Sequence, residues 1–96
     1  MEEWDFENSE WWWDVALQAV KFDAMYDGDT YIFAISRNSL VDYFQTQDTK
    51  EDAIANFEEH IGRIHDLAIR FSSDYNSNED SPHYLIKNQD CVDYNL

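Results

Sequence analysis

The residues in this chain whose types and spacing could do chemistry are carboxylates, and they come in clusters. Glu2, Glu3, Asp5, Glu7 and Glu10 crowd the N-terminus, and Asp27 and Asp29 flank Gly28. Glu51, Asp52, Glu58, Glu59 and Asp66 fall within one apolar-periodic segment, and Asp74, Glu79 and Asp80 follow it. In all, 21 Asp and Glu stand against 6 Lys and Arg, a formal net charge of −15 over 96 residues. A small domain stays soluble with a net charge of magnitude about 2–8, and a larger one repels itself. Solubility therefore does not account for the whole excess. The chemistry such an array offers is electrostatic: it repels nucleic acid and anionic membranes and attracts a basic surface. Among basic surfaces, a groove built to hold nucleic acid is the best match.

Other chemistries lack their residues. There is no Gly-x-Ser-x-Gly element, and Cys91 stands near the C-terminus without a basic neighbour in sequence. His60 and His65 are five apart, about 140° around a helix, so they do not make a two-histidine metal face, and His83 is isolated. Asp27-Gly28-Asp29 lacks the remainder of a calcium loop, and two separate glycines cradle no phosphate. Neither an enzyme nor a cofactor or dedicated metal site is expected. A single cysteine fits a reducing compartment, and no basic segment precedes an apolar run. The expected location is the cytoplasm of a bacterial cell, with a phage or mobile element as one source.

The elements that must position these acids can be read from periodicity. With 44% apolar and 17% aromatic residues the chain folds rather than remaining disordered, and its length suits one domain spanning 1–96. Residues 1–14 read as an acidic arm in which Trp11, Trp12 and Trp13 either pack on the domain or anchor a partner. Three consecutive strand residues cannot all face one side, so at least one of these tryptophans should be partly exposed. Val20, Phe22, Ala24 and Tyr26 alternate with polar residues, Asp27-Gly28-Asp29 supplies turn chemistry, and Thr30–Ile35 is β-rich, which together predict a hairpin. Ser36 is placed to cap a short helix containing Leu40, Val41 and Phe44. Asp48 or Thr49 then opens a long helix, with Ile54, Phe57, Ile61, Ile64, Ala68 and Phe71 as its apolar stripe. After a polar stretch at 72–83, Tyr84–Ile86 is a final strand, and 92–96 a tail. The fold class is α+β: a small antiparallel sheet packed by one short and one long helix, with 15–91 as the core.

On that long helix Asp52, Glu59 and Asp66 recur at i, i+7 and i+14, about 10 Å apart. That equals roughly three phosphate steps along one DNA strand. Glu51 and Glu58 run beside them. Glu59 with Arg63 and Asp66 with Arg70 are also placed for i, i+4 ion pairs.

The pattern Ala19-Val20-x-Phe22-x-Ala24, Gly28, Ala34-Ile35-Ser36, Leu40, Phe44, Ala53, Phe57, His60, Ile64, Ala68, Leu85-Ile86 and Asp90 resembles a small family of proteobacterial proteins about this long, which have no established biochemical role. The resemblance covers roughly residues 14–91 and consists of core positions and turns, so what it implies is a fold. The chain departs from it in the Trp-rich arm and the polar stretch at 72–83. By size and charge the chain also resembles the acidic DNA-mimic proteins of phages, including type I-F anti-CRISPRs. That second resemblance implies an inhibitor that occupies the basic DNA-binding groove of a ribonucleoprotein, such as a type I crRNA-guided surveillance complex. The alternatives are an antidote to a basic nuclease toxin and a housekeeping adaptor with a nonspecific acidic surface. The final strand Tyr84–Ile86, exposed at a sheet edge, would suit self-association; the oligomeric state is not fixed by the sequence.

Overall fold

Strand-forming residues dominate the first third of the chain and helix-forming stripes the remainder, and the computed structural model, which describes residues 4–96, follows that division. The order is β1 (Trp4–Asp5), β2 (Trp11–Asp14), β3 (Ala19–Tyr26), β4 (Asp29–Ser36), α1 (Arg37–Phe44), α2 (Lys50–Glu59), α3 (Ile61–Asp74), β5 (Tyr84–Ile86) and α4 (Asn88–Asp93). The fold class is α+β. One sheet packs its apolar face against the helices.

The hairpin falls where Asp-Gly puts it. Asp27 and Gly28 both take positive φ, 52° and 83°, as a two-residue hairpin turn requires, and β3 pairs β4 antiparallel from Ala19↔Ser36 to Tyr26↔Asp29. β5, by contrast, pairs β4 in parallel through Phe33↔Tyr84 and Ile35↔Ile86. The sheet is therefore mixed, not wholly antiparallel. Between β4 and β5 the chain passes through three helices, the long crossover that parallel pairing needs.

Residues 4–14 are not a free arm. β1 and β2 both pair antiparallel with β3, through Trp4↔Tyr26 and Trp11↔Phe22 to Asp14↔Ala19. They form one edge strand interrupted at residues 6–10, where Ser9 N–H donates to the Phe6 carbonyl and Asp23 N–H to that of Glu10. Such interruptions blunt an edge against further strand pairing. Burial is what holds this strand: Trp4, Phe6, Trp11 and Trp13 pack against the core.

The long helix is also corrected. At His60 (φ −114°, ψ 24°) it kinks, dividing α2 from α3. His60 N–H still donates to the Asn56 carbonyl at 3.1 Å and its own carbonyl accepts from Ile64 N–H at 3.0 Å. The apolar stripe therefore continues across the kink, with Phe57, Ile64, Ala68 and Phe71 buried. The His60 ring lies flat on Phe44 at 4.0 Å, which fixes the kink against the end of α1. Asn56, nearly buried, ties α1 to α2 by donating to the Leu40 carbonyl at 3.1 Å and to Thr46 Oγ1 at 2.9 Å. The tail also has structure: Lys87 N–H donates to Asp90 Oδ2 at 2.9 Å to open α4, and Leu96 is buried.

The two glycines should answer the same substitution with opposite signs. Nothing lies within 4 Å of a Cβ added at either. Gly28→Ala therefore pays only for its φ of +83° and should cost about 1 kcal/mol. Gly62 sits exposed in the first turn of α3 without positive φ, so Gly62→Ala should gain about 0.5 kcal/mol. Melting temperatures moving down and up respectively check both.

Candidate acidic interface

The sheet register and the length of α3 decide which acids meet. β1 places Asp5 opposite Met25, two residues from Asp27, while Asp29 pairs with Tyr26 at the hairpin tip. The C-terminal turn of α3 reaches the same end: Ser72 and Ser73 line one cleft with Trp4, Tyr26, Tyr31 and Tyr84, and Asp74 follows. The 75–83 loop is tied alongside, since His83 N–H donates to the Ile32 carbonyl and Ile32 N–H to His83 Nδ1. Asp5, Asp27 and Asp29 thus rim one end of the molecule, the loop carrying Glu79 and Asp80 flanks it, and Asp74 follows the cleft's serines with its carboxylate accepting from the Tyr94 hydroxyl. Glu2 and Glu3 lie outside the described residues.

The remaining acids are elsewhere. Glu51 and Asp52 open α2 at the opposite end of the sheet, where Lys50 stands over the Trp13 ring at 5.7 Å. Asp52 accepts from Gln47 N–H at 3.1 Å, a local capping role. Because of the kink at His60, Asp52, Glu59 and Asp66 do not share one straight helix. The kink falls between Glu59 and Asp66, and Asp66 pairs with Arg70 at 3.2 Å. Glu59 does not pair with Arg63, whose guanidinium donates to the Leu96 carbonyl instead; Glu59 lies 3.9 Å from His60 Nε2. Glu58 is exposed. Glu7 and Glu10 are exposed in the β1–β2 loop, their N–H groups held by Asp5 and Asp23 carboxylates at 2.9 and 2.8 Å.

The three tryptophans divide as strand alternation requires. Trp11 packs on Phe57 at 5.5 Å, Trp13 also faces the helices, and Trp12 points to the open face of the sheet with 39% exposure. Of the three, Trp12 alone is exposed. Trp4, which the sequence reading did not single out, stands in the acidic rim; its signal was an aromatic in strand register with Tyr26.

The histidines and the cysteine have structural surroundings. Burial pushes the Cys91 thiol up to about 12, with Asp90 adding to the effect, so it carries no thiolate at neutral pH. His65 on α3 stacks on Phe6 at 4.2 Å and leans on Phe22, and burial lowers its pKa below 6.5. Below pH 6.5 the unfolded chain therefore takes up a proton that the folded chain resists, and stability falls as pH drops through that window. Urea denaturation at pH 7 and 5.5 should show this loss in the wild type and a smaller one in His65→Leu. Among the described residues, no group of three or more His, Cys, Asp or Glu is arranged to hold a metal ion, and no helix is long and apolar enough to cross a membrane.

Two comparisons bear on this arrangement. The crystal structure of a protein of unknown function from the DUF1488 family, from Shewanella loihica PV-4, superposes with a TM-score of 0.68. It shares 22% sequence identity and the match covers 80% of this chain and 85% of that one, a likeness of fold. No curated protein matches the chain. The model of the family described as protein of unknown function (DUF1488) matches residues 5–85, from the β1 edge strand through β5, and the chain belongs to that family.

Proposed function

We propose that this protein is an acidic inhibitor that competes with nucleic acid for the basic groove of a DNA-binding protein or ribonucleoprotein. The observation that supports the reading is how unevenly the cations are distributed. Lys21 pairs with Asp14 at 2.8 Å, Arg37 with Asp48 at 3.0 Å and Arg70 with Asp66 at 3.2 Å, while Lys50 covers Trp13. Arg63 donates to the Leu96 carbonyl, which leaves Lys87 as the cation beside the 75–83 loop, in a groove with Asn76, Asn78 and His83. Among the described residues Asp5, Asp27, Asp29, Asp74, Glu79 and Asp80 make no ion pair with any of them. One end of the molecule is left negative on rigid elements, and that is the geometry a phosphate surrogate needs.

A protein polyanion has no condensed counterion atmosphere, so it gains less per contact than DNA does when lysine and arginine displace condensed cations. It has to compensate with preorganised shape and buried anchors. The hairpin tip and the C-terminal turn of α3 are both fixed by backbone hydrogen bonding, which supplies the preorganisation. A type I crRNA-guided surveillance complex is the first target to test.

The test is capture from a bacterial lysate containing such a complex, eluted by salt and then by duplex DNA. Elution of a nucleic-acid-binding complex by DNA supports competition. Capture of one small nuclease toxin would replace this reading with an antidote. Partners indifferent to DNA would replace it with an adaptor, a role that a family match spread over core positions would also fit.

A further inference from the structure

The cleft in the acidic rim has a chemistry of its own. Its volume is about 360 Å³, at the lower end of the range of roughly 300–1,000 Å³ found for ligand pockets. Aromatic rings make most of its wall. Trp4 and Tyr26 are 4.9 Å apart, and Tyr31 meets Trp4 edge-on at 5.4 Å. Tyr84 stands 6.2 Å from Tyr31. The opposite wall is Ile69, Ser72 and Ser73. Both hydroxyls donate to the Ile69 carbonyl, at 2.7 and 3.2 Å. A hydroxyl has one proton and two lone pairs, so what these serines present to a ligand is acceptor oxygen. No Lys or Arg lines the cleft among the described residues. Asp5, Asp27 and Asp74 adjoin its lining residues in sequence, Asp29 pairs with Tyr26 across the hairpin, and the Asp74 carboxylate also accepts from the Tyr94 hydroxyl.

Aromatic faces, oxygen acceptors and flanking carboxylates all favour a cation rich in N–H donors and disfavour an anion. A guanidinium suits this better than an ammonium, because it is planar, weakly hydrated and stacks on rings while donating in its plane. We infer that this cleft receives an arginine side chain of a basic partner protein, an inference that rests on the proposed competition for a basic groove. The carboxylates steer the partner and the cleft fixes its register, so the molecule reads one residue as well as a charge.

The probe is N-acetyl-arginine amide, with N-acetyl-citrulline amide as its uncharged analogue of nearly the same shape, titrated into ¹⁵N-labelled full-length protein. Saturable shifts at the Trp4 indole and at Ser72–Asp74, about tenfold weaker with the citrulline compound, are the expected result. Ser73→Arg, at an exposed position in the wall of the cleft, should supply a tethered guanidinium and weaken probe binding at least tenfold without lowering the melting temperature. Tyr31→Leu should weaken it through lost ring surface, and its thermal melt reports separately on folding. Equal binding of both probes, or non-saturating shifts spread over all acidic segments, would overturn the inference. The two readings fail separately. If Ser73→Arg competes for a DNA-binding groove as well as wild type, the arginine cleft falls and competition stands. If the probe binds but captured partners ignore DNA, competition falls and the cleft remains a cation site.

Discussion

Phe22→Ala should destabilise the fold by about 4 kcal/mol, a large share of the 5–15 kcal/mol that holds a typical domain together. Phe22 has no exposed surface and stands at the centre of the aromatic layer between sheet and helices. Its ring stacks on Phe33 at 5.3 Å, meets Phe57 of α2 at 5.5 Å, and touches His65 of α3 and Phe6 of the β1–β2 loop. Truncation therefore removes a shared neighbour of the sheet, two helices and the N-terminal edge, and such a site cannot collapse around the void from one side. Phe22→Leu, which keeps most of the volume, should cost less than about 1.5 kcal/mol. Urea is the right denaturant because guanidinium chloride would screen the net charge of −15 while it unfolds the chain. For the same reason both variants should gain stability between low and high NaCl. A midpoint shift worth under 1 kcal/mol for Phe22→Ala would place the mechanical centre of the fold elsewhere.

Phe22 was legible from the sequence because β3 alternates cleanly, and the hairpin because Asp-Gly admits few other conformations. The stripe of α2 and α3 was legible too, yet the kink at His60 was not: periodicity reports which residues face the core, and a kink that keeps the flanking hydrogen bonds leaves that facing unchanged. The β1–β2 edge strand was obscured by its acids, which alternate with aromatics over too short a span to declare a strand. Their pairing depends on β3 already being present. That one missed pairing also hid the acidic rim. Asp5 and Trp4 come beside the hairpin only through β1, and Ser72 and Ser73 only because α3 runs its full length back along the sheet. The individual acids could be named from the sequence; their convergence is a tertiary fact.

Removing charge at the hairpin tip should weaken capture of a basic partner about tenfold at 100 mM salt, with most of the loss in the association rate. The substitutions must respect the turn. Asp27 sits at φ 52°, where Asn is as well accommodated as Asp but Lys is not. The informative double variant is therefore Asp27→Asn with Asp29→Lys, which preserves the hairpin chemistry and changes the net charge by three units, from −15 to −12. Asp29 is exposed and makes no ion pair among the described residues, so its reversal breaks no internal partner. Less self-repulsion should leave the melting temperature unchanged or slightly raised. A matched control is Glu51→Gln with Glu58→Lys on α2, which makes the same charge change away from the acidic rim. If net charge alone governs the encounter, the two variants will lose affinity equally. If the rim is the interface, the tip variant will lose far more, and the gap will close as salt rises toward 1 M, where screening reaches about 3 Å. Equal losses in stopped-flow association would remove the hairpin tip from the interface while leaving the charge itself in play.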